Sequence, residues 1–298
     1  MTDQADGGVI GITGASGKVG RRVAERLAKR GLPLRLIVRD ESRAPKLPTS
    51  TVAVASDYTD RPAMVAALSG VSTMLLVSAH EGGDRVQVHK AAIDAGVEAG
   101  VQRIVYLSFL NAAPDATFIL ARDHYHTEQA VRATGLDFTL LRNSLYADVM
   151  PGFFGKDGVV RGPAGDGRIS VVTRDDIADV AAVVLADPSY NGQTINNTGP
   201  EALSFTEMAA ILTEITERPC RFYDETMDEA RQSRSVYGAP EKIVDGWIST
   251  YTAVKAGELD FVGDDVRRIT GHAPLSFREF LARYPQSYAH LVDSYEPR

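Results

Sequence analysis

The sequence of 298 residues contains one cysteine, Cys220, and few long apolar stretches. A single thiol cannot form an intramolecular disulfide, and without further cysteines we expect no structural zinc site and no bound metal. No segment is apolar over the roughly 20 residues that a membrane-spanning helix requires. Residues 1–8 are polar and acidic, unlike a signal sequence. We therefore expect a cytoplasmic protein with no membrane partner.

A large excess of charge of one sign is also missing. The formal net charge is −7 at pH 7, and acidic and basic residues are mixed along the whole chain. Nucleic-acid-binding surfaces need clustered positive charge, so we expect no nucleic-acid partner.

The most informative stretch is the glycine-rich segment at residues 14–20 (GASGKVG). An apolar run at residues 9–13 precedes it, and an amphipathic helix with Val19, Val23 and Leu27 on one face follows. Glycines let a chain turn sharply and approach phosphate oxygens, and the helix amino terminus supplies free N–H groups. The segment therefore predicts a pyrophosphate-binding turn formed by Thr13, Gly14, Ser16, Gly17, Lys18, Val19 and Gly20.

Further strand and helix patterns follow in alternation. Apolar strands are predicted at residues 34–38, 51–54, 72–77, 102–108 and 138–142, each joined to the next element by a short connection. The pattern predicts a Rossmann-like α/β fold with a doubly wound parallel sheet, whose ligand lies beyond the carboxyl ends of the strands. This edge adds the cofactor-binding candidates Arg39, Asp57, Tyr58, Val77, Ser78, Ser108, Phe109 and Asn143.

The second strand ends in Arg39 followed by Asp40. A basic residue at this place suits the extra phosphate of NADP, and an acidic one suits the ribose hydroxyls of NAD. Arg43 and Lys18 add two cations, so the sequence favours NADP(H) as cofactor. The alternative interpretation is that Arg39 and Arg43 are solvated surface charges with no ligand. Asp57 is either an acceptor for the adenine amino group or a helix cap.

The rest of the chain predicts a second part. We expect an NAD(P)-binding Rossmann domain at residues 7–143 and 168–198. Residues 144–167 and 199–298 are expected to form a small, mostly helical substrate-binding subdomain. Ser204 and Ser276 each stand three residues before a glutamate, which predicts two capped helices there.

The glycine pattern resembles that of the short-chain dehydrogenase/reductase superfamily, whose usual acid is a Tyr with a Lys four residues later in the helix after strand five. Here Gln129 stands four residues after Tyr125, so the pair is missing. Tyr251 and Lys255 have the right spacing, but they lie in the carboxyl-terminal part, and we interpret this match as accidental.

Other motifs make the resemblance more specific. Residues 12–17 (ITGASG), 56–58 (SDY), 140–143 (LLRN) and 164–169 (AGDGRI), with His124 ahead of Thr127 and Glu128, resemble the atypical, NmrA-like branch. The motifs are similar to those of type 2 NAD(P)H:quinone oxidoreductases and triphenylmethane reductases. The resemblance implies NADP(H) binding through Gly14, Gly17, Gly20 and Arg39, and an active site without the Tyr/Lys pair.

We therefore expect an NADPH-dependent oxidoreductase that transfers hydride to a quinone-like or other conjugated acceptor. Asn143 is the candidate amide donor to the acceptor, Tyr146 a ring stack or weak donor, and His124 or Tyr125 an optional proton source. Each has a structural alternative: His124 satisfies a buried carbonyl, Asn143 caps a strand, and Tyr146 packs in a loop.

Two other functions stay open at this point. A non-catalytic NADP(H)-binding redox sensor that acts through a protein partner has the same cofactor residues, because fold alone does not fix function. A nucleotide-sugar epimerase is disfavoured because it needs the Tyr/Lys pair. A homodimer is compatible with the fold, although no helix identifies an interface.

Overall fold

The computed structural model describes residues 8–80 and 82–293. The strands are β1 (Val9–Thr13), β2 (Leu34–Val38), β3 (Ser50–Val54), β4 (Val71–Leu76), β5 (Arg103–Phe109), β6 (Asp137–Asn143), β7 (Val159–Gly162), β8 (Arg168–Ile169), β9 (Thr194–Asn197), β10 (Leu203–Ser204) and β11 (Arg221–Asp224). The helices are α1 (Lys18–Lys29), α2 (Arg61–Leu68), α3 (Arg85–Glu98), α4 (Ile119–Ala133), α5 (Arg174–Ala186), α6 (Phe205–Thr216), α7 (Met227–Ser235), α8 (Glu241–Lys255), α9 (Asp265–Thr270), α10 (Phe277–Arg283) and α11 (Ala289–Val292).

A seven-stranded sheet in the order β3-β2-β1-β4-β5-β6-β9 forms the centre of the fold. Strand β1 pairs in parallel with both β2 and β4, and the β2–β3 and β4–β5 pairs are also parallel. The chain order therefore reverses beside β1, at the point where α/β sheets of this type bind their ligands. The predicted Rossmann-like α/β fold is confirmed.

The burial of each strand follows its place in the sheet. Met74, Leu75 and Leu76 of the interior strand β4 are fully buried, as expected for a parallel strand covered on both faces. Strand β3 lies at the sheet edge, and its Val52 and Val54 are 38% and 49% exposed. Helix α1 buries the predicted stripe of Val19, Val23 and Leu27.

The chain divides into two compact units. The first contains the chain up to Phe109, together with Asp123–Arg142 and Arg174–Ile195. The second contains Leu110–Arg122, Asn143–Thr173 and the chain from Asn196 onward. The substrate-binding role of the carboxyl-terminal part stays a prediction.

The second unit contains helices α6 to α11, and both predicted capping boxes, at Ser204 and Ser276, are present. It also contains two small sheets that the sequence did not indicate: β7 pairs with β11 in parallel, and β8 with β10 antiparallel. Tyr251 belongs to its core, with its ring stacked 5.3 Å from that of Phe205. A packing role for Tyr251 agrees with an accidental spacing to Lys255. No helix of the described residues combines the length and hydropathy that a membrane crossing requires.

Candidate cofactor and acceptor site

The glycine loop of the first unit has the tight geometry that a pyrophosphate turn requires. Gly14 has a φ of +59°, and its carbonyl oxygen accepts a hydrogen bond of 2.8 Å from the Gly17 N–H. A Cβ atom added to Gly20 would lie 2.4 Å from that same oxygen, and one added to Gly17 would lie 3.1 Å from it. The three glycines therefore have distinct roles: Gly14 makes the turn, while Gly17 and Gly20 let helix α1 approach the loop closely.

The amino terminus of α1 is open to an anion. Gly17 is the N-cap and supplies no side-chain acceptor, and the first turn carries no acidic residue. Ser16 is half-buried and Lys18 is exposed beside the cap. Helix N–H groups, the helix dipole and a nearby ammonium group all favour a phosphate there, so these residues fit a dinucleotide cofactor.

The carboxyl end of β2 is followed by the cation Arg39 and the carboxylate Asp40. Arg39 is exposed, and its charge helps to lower the pKa of Asp57, after the larger effect of hydrogen bonds from Thr59. The Asp40 carboxylate accepts hydrogen bonds from the backbone and hydroxyl of Ser42, at 2.9 and 2.7 Å, which lower its pKa. Asp40 thus stabilises a turn, whereas Arg39 is left exposed toward solvent.

Asp57 also stabilises a turn. Its Oδ1 accepts from the N–H and hydroxyl of Thr59 at 2.8 and 2.7 Å, while the cap of α2 is Asp60. The helix-cap alternative for Asp57 is therefore wrong. A contact between Asp57 and the adenine stays a prediction.

The hydroxyls of two other candidates are hydrogen-bonded within the first unit. Thr13 donates to the Leu75 carbonyl oxygen at 3.0 Å, and the Tyr58 hydroxyl lies 2.7 Å from Thr13 Oγ1 and 2.8 Å from the Val77 carbonyl oxygen. Burial raises the pKa of Tyr58 to about 12. These contacts connect β1 to the end of β4 and hold the half-buried Val77 against Gly14.

The hydroxyls of Ser78 and Ser108 also donate hydrogen bonds to other residues of the first unit. Ser78 donates to the Leu107 carbonyl oxygen at 2.6 Å, and Ser108 donates to Glu128 Oε1 at 2.6 Å. The Glu128 side chain is 1% exposed and forms an ion pair of 2.6 Å with Arg142. This network joins the carboxyl ends of β5 and β6 to α4.

His124 lies in a buried network of the first unit. The residue is 6% exposed; its Nδ1 is 2.8 Å from the Tyr106 hydroxyl and its Nε2 is 3.3 Å from Arg85 Nη2. Burial, followed by the charges of Arg85 and His89, lowers the pKa of His124 well below its usual value. The ring is therefore neutral near pH 7 and both nitrogens have partners, an arrangement that suits positioning better than proton donation.

His89 completes the network on the neighbouring helix. Its Nε2 accepts from the Ala79 N–H at 2.8 Å, so Nδ1 carries the proton and donates to Thr127 Oγ1 at 2.9 Å. Burial and the Arg85 charge lower the pKa of His89 to about 3. His89 is fully buried, and these two hydrogen bonds connect α3 to Ala79 and to α4.

Two aromatic residues near His124 have different surroundings. Phe109, at the end of β5, stacks on the His124 ring with 6.0 Å between ring centroids. Tyr125 is half-buried, and its ring meets the edge of His126 at 5.5 Å. Phe109 therefore shares the His124 network, whereas Tyr125 packs against His126.

Asn143 and Tyr146 belong to the second unit. Asn143 is 1% exposed, its carbonyl oxygen accepts from Leu110 N–H at 2.9 Å, and its Oδ1 accepts from Asn197 Nδ2 at 2.8 Å. Tyr146 is half-buried, and its backbone forms an isolated parallel β-bridge with Val172. A short 3₁₀ helix, Ala147–Phe153, begins at the next residue. Asn197 thus orients the amide of Asn143.

Comparison with protein-family models identifies a family whose members bind NAD(P)H. A model described as NAD(P)H-binding matches residues 14–188. The chain belongs to this NAD(P)H-binding family.

Individual relatives of this NAD(P)H-binding protein agree with that assignment. The NAD(P)H azoreductase of Xenophilus azovorans is 30% identical over 94% of this chain and 99% of its own length. The crystal structure of the Escherichia coli NADPH-dependent quinone oxidoreductase QOR2, complexed with NADPH, is 31% identical and has a TM-score of 0.84 over 92% of this chain and 99% of that chain.

The Citrobacter sp. triphenylmethane reductase complexed with NADP(H) is 28% identical, with a TM-score of 0.82 over 92% of this chain and 99% of that chain. The resemblance inferred from the sequence is thereby confirmed, and the chain is an NAD(P)H-dependent oxidoreductase.

Tyr106 and Arg85 are absent from the sequence-based site. Tyr106 lies within an otherwise apolar strand, and Arg85 is the first residue of a helix, where arginine is ordinarily solvated. The only signal in the sequence was the placement of a phenol inside a buried strand, because a buried Tyr hydroxyl requires a partner.

Proposed function

We propose that the chain transfers hydride from NADPH to a quinone-like or other conjugated acceptor. The observation that carries the proposal is the chemistry of α4, which follows β5. Its His124 is buried and neutral, and Gln129 occupies the place of the lysine that activates a catalytic tyrosine. A neutral imidazole with two partners is a poor general acid at pH 7.

The acceptor class follows from this lack of a tuned acid. Hydride reduction of a simple ketone gives an alkoxide, which needs a proton donor. A quinone instead gives a delocalised phenolate-like anion, with a pKa of about 10 by analogy with tyrosine. The acceptor takes two electrons and one hydrogen as hydride, and its anion then takes one proton from water to give the hydroquinone.

The cofactor preference rests on the end of β2. Arg39 is exposed there, Lys18 of the glycine loop and Arg43, four residues after Arg39, are exposed as well, and the Asp40 carboxylate accepts a hydrogen bond from the Ser42 N–H. These cations favour a 2′-phosphate, and thus NADPH over NADH. Bound NADPH supplies the hydride, while the open amino terminus of α1 binds the pyrophosphate.

Asn143 and Tyr146 are the proposed acceptor contacts. The Asn143 Oδ1 accepts from Asn197 Nδ2 at 2.8 Å, which fixes the orientation of the amide, and we assign this amide as the donor to an acceptor carbonyl. Tyr146 supplies a ring for stacking against a flat acceptor. Holding the acceptor in a reactive position relative to the cofactor supplies a large part of the rate acceleration of a hydride transfer.

The test is steady-state oxidation of NADPH by the purified protein with a panel of quinones. Asn143→Ala is expected to lower kcat/KM for the quinone on the order of tenfold, since it removes a hydrogen bond to a charged product. Asn191→Ala, a loop variant whose amide donates to Asp137, is the matched control. NADPH binding without oxidation of any acceptor would contradict the proposal and favour a sensor role.

A further inference from the structure

Arg85 is a buried cation of the first unit that the proposed mechanism does not yet use. It begins α3 and is only 7% exposed. Its Nε donates to the Ala79 carbonyl oxygen at 3.1 Å, its Nη2 lies 3.3 Å from His124 Nε2, and its buried Nη1 has no hydrogen-bond partner among the described residues. Burial of a guanidinium costs free energy unless its N–H groups find acceptors, and one acceptor of Arg85 is the His124 ring.

The contact with His124 determines where the imidazole proton lies. A guanidinium is always protonated and only donates, so His124 Nε2 must accept from Arg85. In the neutral ring the proton then resides on Nδ1, which donates to the Tyr106 hydroxyl at 2.8 Å. Arg85 therefore fixes both the tautomer and the orientation of the ring.

The His124 ring in turn supports Phe109. Their rings are inclined at 30° with centroids 6.0 Å apart, and Phe109 ends β5 at the carboxyl edge of the sheet. Phe109 is half-buried, whereas His124 and Tyr106 behind it are buried. A rotated or protonated imidazole would change the surface on which the Phe109 ring rests.

We propose that Arg85 is a positioning residue for hydride transfer, which holds His124 as the neutral Nδ1–H tautomer and thereby fixes the Phe109 ring. The kinetic part of this inference rests on the proposed function, but the tautomer part does not. Among the described residues, the charges of Arg85 and His89 act on His124, the Tyr106 hydroxyl contacts its Nδ1, and the Glu128 carboxylate acts on Tyr106.

The experiment compares Arg85→Met, which keeps most of the volume, with Arg85→Lys, which restores a permanent donor. Ring ¹⁵N spectra of the protein labelled on its six histidines report which nitrogen of each ring is protonated, and His124→Gln assigns the signal. Arg30→Met is the control, because Arg30 also donates to a backbone carbonyl, that of Ala182, at 3.0 Å. Circular dichroism and NADPH titration check that each variant is folded.

In the unsubstituted protein we expect His124 with a protonated Nδ1 and an unprotonated Nε2. In Arg85→Met we expect mixed tautomers and a ring that titrates closer to the usual histidine range. Turnover with quinone should fall on the order of tenfold in kcat with little change in KM for NADPH, since the reacting groups are misplaced after binding. Arg85→Lys should recover the tautomer and most of the turnover.

An unchanged tautomer and unchanged kcat in Arg85→Met would overturn the inference. Equal losses in the Lys and Met variants, with the tautomer intact, would also overturn it by showing a packing role alone. If no quinone is reduced even by the unsubstituted protein, the proposed function fails, and the ¹⁵N spectra still decide the tautomer.

Discussion

Gly20→Ala tests the glycine loop most severely. The added Cβ would lie 2.4 Å from the carbonyl oxygen of Gly14, 2.9 Å from its carbonyl carbon and 3.2 Å from the Cα of Ala15. All three are backbone atoms that no rotamer change moves, so helix α1 must shift away from the loop. Overpacking of this kind costs about 1–3 kcal/mol.

This strain lies in the segment that holds the pyrophosphate, so it divides between weaker NADPH binding and a lower free energy of unfolding. If all of it appeared in binding, Kd would rise about 5- to 150-fold at 1.4 kcal/mol per factor of ten. Calorimetric titration with NADPH and urea unfolding measure the two parts, and we expect their sum to fall within about 1–3 kcal/mol.

Substitutions at two other glycines serve as a milder variant and as a control. Gly17→Ala places its Cβ 3.1 Å from the same oxygen and should show a smaller effect, and Gly246→Ala, inside α8 with open space around it, should leave NADPH binding unchanged. A Gly20→Ala protein that matches the unsubstituted protein in both Kd and stability would refute the role assigned to the loop.

Three further predictions concern the buried polar groups. Glu128→Gln removes the buried carboxylate that pairs with Arg142 at 2.6 Å and should lower the free energy of unfolding by about 3 kcal/mol in urea titrations. A loss below about 0.5 kcal/mol, the size expected of an ordinary surface change, would contradict this prediction. The depressed pKa values of His89 and His124 keep both rings neutral in the folded chain, while the histidines of the unfolded chain take up protons around pH 6.5. Stability should therefore be nearly constant above about pH 7.5 and fall by about 2–3 kcal/mol between pH 7.5 and 5.5. A flat profile over that window would show that these rings are not buried and neutral. Tyr58→Phe removes the hydroxyl that contacts Thr13 and Val77 and should cost about 1 kcal/mol of stability, measured by the shift of the urea midpoint.

Local patterns in the sequence predicted the sheet and the loop because their causes are local. Short apolar runs that alternate with amphipathic helical segments predict a buried parallel sheet, and the spacing of Gly14, Gly17 and Gly20 fits the close approach of helix α1 to the loop. The capping boxes at Ser204 and Ser276 were predictable for the same reason, since each involves residues three positions apart.

The His124 network was not predictable because its contacts are distant in sequence. Arg85 is 39 positions from His124 and Tyr106 is 18 positions away, and only the packing of α3, β5 and α4 brings them together. The short strand β7 meets its partner β11 after some 60 residues, and a four-residue strand carries little periodicity. A cytoplasmic location and a homodimer stay predictions.

Rates of NADPH and NADH oxidation with one quinone, measured side by side, test the central claim most directly. Three exposed cations and an Asp40 already bonded to Ser42 predict a kcat/KM for NADPH on the order of tenfold or more above that for NADH. Arg39→Gln should lower the ratio of the two kcat/KM values, mainly by raising KM for NADPH. Quinone-dependent oxidation with no preference between the two cofactors would contradict the role of Arg39, and no oxidation of either would contradict the reductase itself.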